Sequence, residues 1–268
     1  MVPPSMLRVD FQAAAIHQAG GEALLGNTDF EATVHLPNIE RRLRLFVTSE
    51  DLQESPAVPS EQPSGIRAGA RFEPLPKITF EFGVRTNLKP SAFSALKWAP
   101  TLASGLVKVT PLAKLYVDSR LGYGASAGVA LERWQRRWIV RSTSYVDWLH
   151  TTSGVSGSDW SQTFIVGYAP SIIRENQYGT VASGHDLACG AVLRLYTASD
   201  QRAGSAMREA SVLLKRPLHD GWLFGYVEPI IRWNRSTDWH PDLGIAIGVD
   251  ILFWGVVARE GGTGTSCQ

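Results

Sequence analysis

Arginines at even spacings are the first feature of this sequence with chemical potential: Arg42 and Arg44 on one segment, Arg67 and Arg71 on the next, then Glu81 and Arg85. An even spacing puts both side chains on one face of a β-strand. Glu31 and Glu73 flank this group, and a second set, Glu209, Lys215, Glu228, Arg232 and Asp250, lies toward the C-terminus. If these faces line one interior, an Arg-rich wall opposite a more acidic one sets up a transverse field that attracts and orients small charged solutes. The same mixture of signs also suits a salt-bridged ladder that satisfies inward charges and blocks the interior, because buried charges need partners. Both readings stay open on sequence grounds.

Nucleophile, acid–base and metal constellations are weaker. Asp238-Trp239-His240 is an Asp-x-His pair similar to half of the omptin protease site. That site also needs an acidic pair to hold the attacking water, and the chain contains no Asp-x-Asp. Ser183-Gly184-His185-Asp186 puts a Ser near a His, but nucleophilic catalysis needs Ser, His and an orienting group to converge in space. Leu121-Gly122-Tyr123-Gly124 lacks the Lys and helix of a phosphate-cradling loop and reads as a turn or a kinked strand. Neither His pair has companions at metal-ligand spacing. The sequence predicts no enzyme, no metal and no cofactor.

The elements that must position the charges follow period two. From Leu243 to Phe253 the odd positions are Leu243, Ile245, Ile247, Val249, Ile251 and Phe253, with Gly244, Ala246, Gly248 and Asp250 between them. Leu7, Val9 and Phe11 alternate with Arg8, Asp10 and Gln12, and Ile78, Phe80, Phe82 and Val84 with Thr79, Glu81 and Arg85. Such runs are strands with one apolar and one polar side. The polar faces are Arg-rich with many small residues, unlike the Lys- and Glu-rich surface of a soluble β-sandwich.

Composition narrows the class further. With 26 basic against 25 acidic residues the chain lacks the charge of a nucleic-acid binder. Cys189 and Cys267 are too few for a disulfide framework. No run approaches the roughly 18 apolar residues of a membrane helix, and the start Met1-Val-Pro-Pro-Ser5 carries no signal-peptide pattern.

The pattern predicts an all-β, transmembrane, up-and-down antiparallel barrel of about 14 strands, with 12 or 16 within range. The expected strands lie near 6–16, 29–37, 41–49, 64–73, 77–87, 100–109, 113–122, 125–134, 137–148, 159–169, 180–197, 205–215, 222–233 and 243–254. Pro-marked segments 37–40, 74–76, 110–112 and 216–220 read as tight turns at one end. Segments 17–28, 50–63, 88–99, 150–158 and 234–242 read as longer connections at the other. Trp98, Trp134, Trp138, Trp148, Trp160, Tyr168, Trp222, Trp233 and Trp254 fall near strand ends, as aromatic girdles do.

The stretch Leu214-Lys215-Arg216-Pro217-Leu218-His219-Asp220-Gly221-Trp222-Leu223-Phe224-Gly225-Tyr226-Val227-Glu228-Pro229, with Leu252-Phe253-Trp254-Gly255, resembles a family of uncharacterised proteobacterial outer-membrane β-barrel proteins. The turn from Leu36-Pro37 to Arg41-Arg42-Leu43-Arg44-Leu45 is similar to that family's early hairpin. The resemblance implies an outer-membrane barrel and no activity. The chain departs from it in lacking a signal peptide and in running on from Val256 to Gln268.

The resulting expectation is a lead-in over 1–5, a barrel over 6–255 and a tail over 256–268. It lies in the outer membrane of a Gram-negative bacterium, with the bilayer, lipopolysaccharide included, as its partner. It acts as a passive pore for small charged solutes, lined by Arg42, Arg44, Arg67, Arg71, Glu81, Arg85, Glu209, Glu228, Arg232 and Asp250. The alternative is a structural or partner-binding barrel with a blocked lumen; an outer-membrane hydrolase ranks third.

Overall fold

A computed structural model describes residues 6–18, 21–35, 43–49, 66–86, 90–104, 107–154, 156–172, 187–200, 204–219 and 222–254. The strands are β1 (Met6–Gln18), β2 (Gly21–His35), β3 (Leu43–Thr48), β4 (Ile66–Leu75), β5 (Ile78–Thr86), β6 (Ser91–Trp98), β7 (Leu102–Ser104) and β8 (Val107–Asp118). They continue as β9 (Gly122–Gln135), β10 (Trp138–Thr151), β11 (Ser156–Ile172), β12 (Leu187–Asp200), β13 (Ser205–His219), β14 (Leu223–Asn234) and β15 (Pro241–Trp254). Consecutive strands pair antiparallel from β1 to β6 and from β7 to β15, β1 pairs with β15, and β6 pairs with β8 to close the sheet. β6 and β7 pair with successive parts of β8, so they form one interrupted stave and the barrel has 14 staves.

Alternation decides which face points where. On β15 Leu243, Ile245 and Ile247 are exposed while Ala246 and Asp250 are fully buried. Apolar residues therefore face out and charged or small ones face in, the inverse of a soluble protein and the pattern of a lipid-facing wall. Among the described residues no helix is long and apolar enough to cross a membrane. Closure meets the same demand by another route, because a sheet without edges pairs its backbone groups within itself.

Exposed aromatics form two bands. Trp98, Trp138, Tyr168, Trp222 and Phe253 lie toward the end that carries the start of β1 and the end of β15, and Tyr123, Trp148, Trp160 and Trp239 toward the other. Trp138 and Trp148 on β10 are separated by about 33 Å of strand, or a height of about 25 Å at the usual tilt. Trp134 is the exception to the girdle expectation. It packs against the buried cluster of Ile139, Ile165, Val192, Leu213 and Tyr226 and donates to Glu132 (Nε1 to Oε1, 2.8 Å).

Several connections differ from the sequence reading. Thr110-Pro111-Leu112 is not a turn; it lies inside β8, and the turn follows Asp118. The reason is local: β6 pairs with residues 113–118 and β7 with 107–109, so Pro111 faces the break between them. There its missing N–H costs no ladder bond on that side. Most of segment 88–99 is β6, and 17–28 is a hairpin in which β1 ends at Gln18 and β2 begins at Gly21. β13 runs through Pro217 to His219 with a register shift, so the turn expected at 216–220 comes later. The described connections at the second end are short, not long: β10 ends at Thr151 with β11 starting at Ser156, and β14 ends at Asn234 with β15 starting at Pro241. The strand expected over 180–197 is Leu187–Asp200. Segments 37–40 and 50–63 and the tail 256–268 lie outside the described residues.

The inner wall is tiled by aromatic rings laid over glycines. The register row Phe46–Gly69–Gly83–Phe93 crosses β3 to β6, and the two phenyl rings meet above the glycines at 6.4 Å. A Cβ on Gly83 would sit 2.2 Å from the Ala68 carbonyl oxygen. Tyr226 on β14 lies over its partner Gly248 on β15 and donates to Asp10 on β1 (2.7 Å). Tyr116 on β8 repeats the device over Gly124 on β9, donating to Asp147 on β10 (3.0 Å). Laying each ring along the wall satisfies its hydroxyl two strands away and keeps its bulk out of the centre.

Gly83→Val and Gly248→Val should each abolish or strongly weaken folding, since the added atoms meet backbone or ring; overpacking alone costs about 1–3 kcal/mol. Ala13→Val on the outward face should be tolerated. Heat-dependent gel mobility and urea unfolding in vesicles check both, and equal behaviour of all three variants would contradict the tiling.

Candidate functional site

The inward face carries its charge in paired clusters built by neighbouring strands. On β4 to β6, Arg71 donates to Glu81 (Nε to Oε1, 2.6 Å), and Lys97 approaches the other carboxylate oxygen at 3.3 Å. Arg44 reaches Glu73 at 3.4 Å. Arg67 is buried and holds its guanidinium 5.2 Å from the Phe93 ring and 6.0 Å from Phe46, over the glycine row. A cation held over an aromatic face is attracted by the ring's quadrupole, which contributes about 0.5–2 kcal/mol. Arg85 is buried on the same face of β5.

The second group is knitted more tightly. Glu209 accepts from Arg194 (2.7 Å) and from Arg232 (2.9 and 2.7 Å), and Arg194 also reaches Glu228 at 3.1 Å. Ser211 donates to Glu228 at 2.6 Å. Asp250 is fully buried and accepts from Arg8 (3.0 and 2.8 Å) and Lys215 (2.6 Å). The side chains of Asp250 and Lys215 are both fully removed from solvent, and Lys215 also lies over the rings of Phe224 and Tyr226.

The structure thus brings the sequence-selected residues into two groups. Arg71 and Glu81 meet, as do Glu209, Glu228 and Arg232 through Arg194; Asp250 joins Arg8 and Lys215 rather than Glu228. Arg42 lies outside the described residues, as do Ser183 and His185. Sequence reading missed Lys97, Lys114, Arg141, Arg194, Glu132, Asp118, Asp147 and Asp159, all inward. Parity within each strand marks them, once the strand boundaries are known.

Charge is unevenly shared around the wall. On β3 to β8 the inward Arg44, Arg67, Arg71, Arg85, Lys97 and Lys114 outnumber Glu73, Glu81 and Asp118. From β9 through β15 to β1, Asp10, Glu132, Asp147, Asp159, Glu209, Glu228, Asp242 and Asp250 outnumber Arg8, Arg141, Arg194, Lys215 and Arg232. The ion pairs named above join strands one or two staves apart, not opposite sides. Among the described residues no cluster of three or more His, Cys, Asp or Glu is arranged to hold a metal ion.

Neither a protein-family model nor a curated protein matches this sequence. Solved structures do match in shape. OccK2 (OpdF) of Pseudomonas aeruginosa aligns over 94% of this chain and 97% of its own, with 7% identity and a TM-score of 0.52. Its complex with glucuronate aligns over 94% and 98%, with 7% identity and a TM-score of 0.53. An anion-selective porin from Comamonas acidovorans aligns over 93% and 98%, with 8% identity and a TM-score of 0.48. At such identity the likeness is one of fold: this chain has the closed antiparallel barrel of outer-membrane porins.

Asp250→Asn should destabilise the barrel by about 3–5 kcal/mol by leaving Arg8 and Lys215 without their carboxylate. Tyr226→Phe should cost about 1–3 kcal/mol through Asp10. Denaturant unfolding in vesicles measures both, and a neutral Asp250→Asn would contradict the paired-wall description.

Proposed function

We propose that the protein is a passive pore in the outer membrane of a Gram-negative bacterium, passing small charged solutes between a cation-rich and an acid-rich arc. The observation that carries this reading is the uneven sharing of inward charge, combined with rings and ion pairs that lie along the wall. Fourteen staves about 4.8 Å apart, tilted by about 40°, close to a backbone diameter of about 28 Å. Side chains held flat leave room within such a ring, and opposed arcs orient a solute that carries both a charge and a dipole.

Arg44, Arg67, Arg71, Glu81 and Arg85 are read as one lining, and Glu209, Glu228, Arg232 and Asp250 as the other. The porin fold supports this, and the glucuronate complex of OccK2 makes small sugar carboxylates the first solutes to test. Lipids of the outer leaflet, lipopolysaccharide among them, are the expected surroundings. The chain acts by conduction rather than turnover, so His240→Ala should leave transport unchanged.

Proteoliposomes containing the folded protein should swell in isosmotic sodium glucuronate. The double variant Arg67→Gln/Arg71→Gln should lower the permeability of chloride relative to potassium, read as a shift of reversal potential in a salt gradient. Glu209→Gln should move it the opposite way. No swelling with verified folded protein would favour the structural, blocked barrel, and identical reversal potentials would remove these arcs from the conduction path.

A further inference from the structure

The outward face of β10 to β13 is not uniformly apolar. Arg208 faces out near the end of the barrel opposite the termini, with Trp233 and Thr197 as register partners on either side. Trp239, in the turn after β14, stacks on its guanidinium at 5.0 Å. These three, Arg208, Trp233 and Trp239, line a cavity of about 260 Å³. Among the described residues Arg208 makes no ion pair, in contrast to the paired cations inside.

The register row continues downward from Arg208 through Thr197 and Gln162 to Ser144. Gln162 accepts from the Ser144 hydroxyl and donates from Nε2 to Ser142 Oγ (2.8 Å). Ser142 and Ser144 lie between the two girdle residues of β10, Trp138 and Trp148, so the row descends from the aromatic rim into the apolar band. On β15 the same band presents Leu243, Ile245 and Ile247. Polar groups facing hydrocarbon are costly unless bonded; Gln162 and the two serines bond to one another, and Thr197 carries the polar row from them up to Arg208.

We propose that this face is a groove for one phosphate-bearing lipid of the adjoining leaflet. The phosphate sits on Arg208 between the two indoles, and the lipid's linkage oxygens and amides meet Thr197 and Gln162. Charge selects this occupant: a guanidinium at the rim complements a phosphate with paired N–H donors, whereas a second copy docked on the same face would bring another Arg208 rather than an anion. The cavity fits the chemistry, since two indole faces beside one cation accept the junction of an anionic head and an apolar chain. The inference rests on the reading that the barrel spans a bilayer.

The test uses the full chain, folded in detergent. Native mass spectrometry and tryptophan fluorescence follow titration with lipopolysaccharide, phosphatidylglycerol, phosphatidylcholine and inorganic phosphate. Phosphate-bearing anionic lipids should be retained over phosphatidylcholine, and inorganic phosphate alone should bind weakly. Arg208→Gln should weaken the anionic lipids about tenfold or more, the loss expected for a charge-assisted contact. Gln162→Leu, checked for folding by heat-dependent gel mobility, should weaken them less.

Unchanged retention by Arg208→Gln overturns the proposal, as does binding of inorganic phosphate as tight as that of lipid. A dimer that Gln162→Leu converts to monomer also overturns it, in favour of a second copy. Failure of the chain to insert into vesicles would instead refute the membrane reading itself, so the two failures are separable.

Discussion

Closure of the sheet through β6 and β8 is the constraint on which the other features depend. Residues 93–98 pair with 113–118 and join the two ends of the strand order. A sheet with open edges would leave backbone donors and acceptors facing hydrocarbon, which lipid cannot satisfy. Once the ring is closed, every strand has one face toward lipid and one toward the interior, and period two becomes obligatory. A slip of one residue would turn a strand's charges into the membrane.

Closure also dictates how the interior is built. Curving the sheet crowds the inward side chains, and the wall answers by setting large rings beside glycines, as in Phe46–Gly69–Gly83–Phe93 and in Tyr226 over Gly248. Charges are then satisfied sideways: Lys215 and Arg8 reach Asp250 from strands on either side of it, and Arg194 bridges Glu209 and Glu228. Buried pairs of this kind contribute little net stability, because desolvation offsets attraction. Their consequence is geometric, since the side chains of this wall are held against it with one arc left cation-rich and the other acid-rich.

Much of this was legible in the sequence. The alternation from Leu243 to Phe253 announces β15 and both of its faces, and the Arg and Glu residues selected by even spacing are inward wherever the structure describes their side chains. Turn chemistry was the weaker guide. Pro111 looks like punctuation, yet it lies in a strand, because tolerance of its missing N–H depends on a break in β6–β7 that no local pattern reveals. Trp134 counts as a girdle residue by position but packs inside, because near a strand end parity outweighs proximity to the rim. The Tyr–Gly–Asp devices are invisible without register: Tyr226, Gly248 and Asp10 are far apart in sequence and meet only through two strand pairings.

In the proposed pore, the closed, laterally paired wall surrounds a water-filled path. Single-channel recording of the verified folded protein in planar bilayers tests it most directly. An open path gives discrete, persistent conductance steps whose size follows the bulk conductivity of the salt. A bilayer that stays electrically silent with folded protein inserted would contradict it.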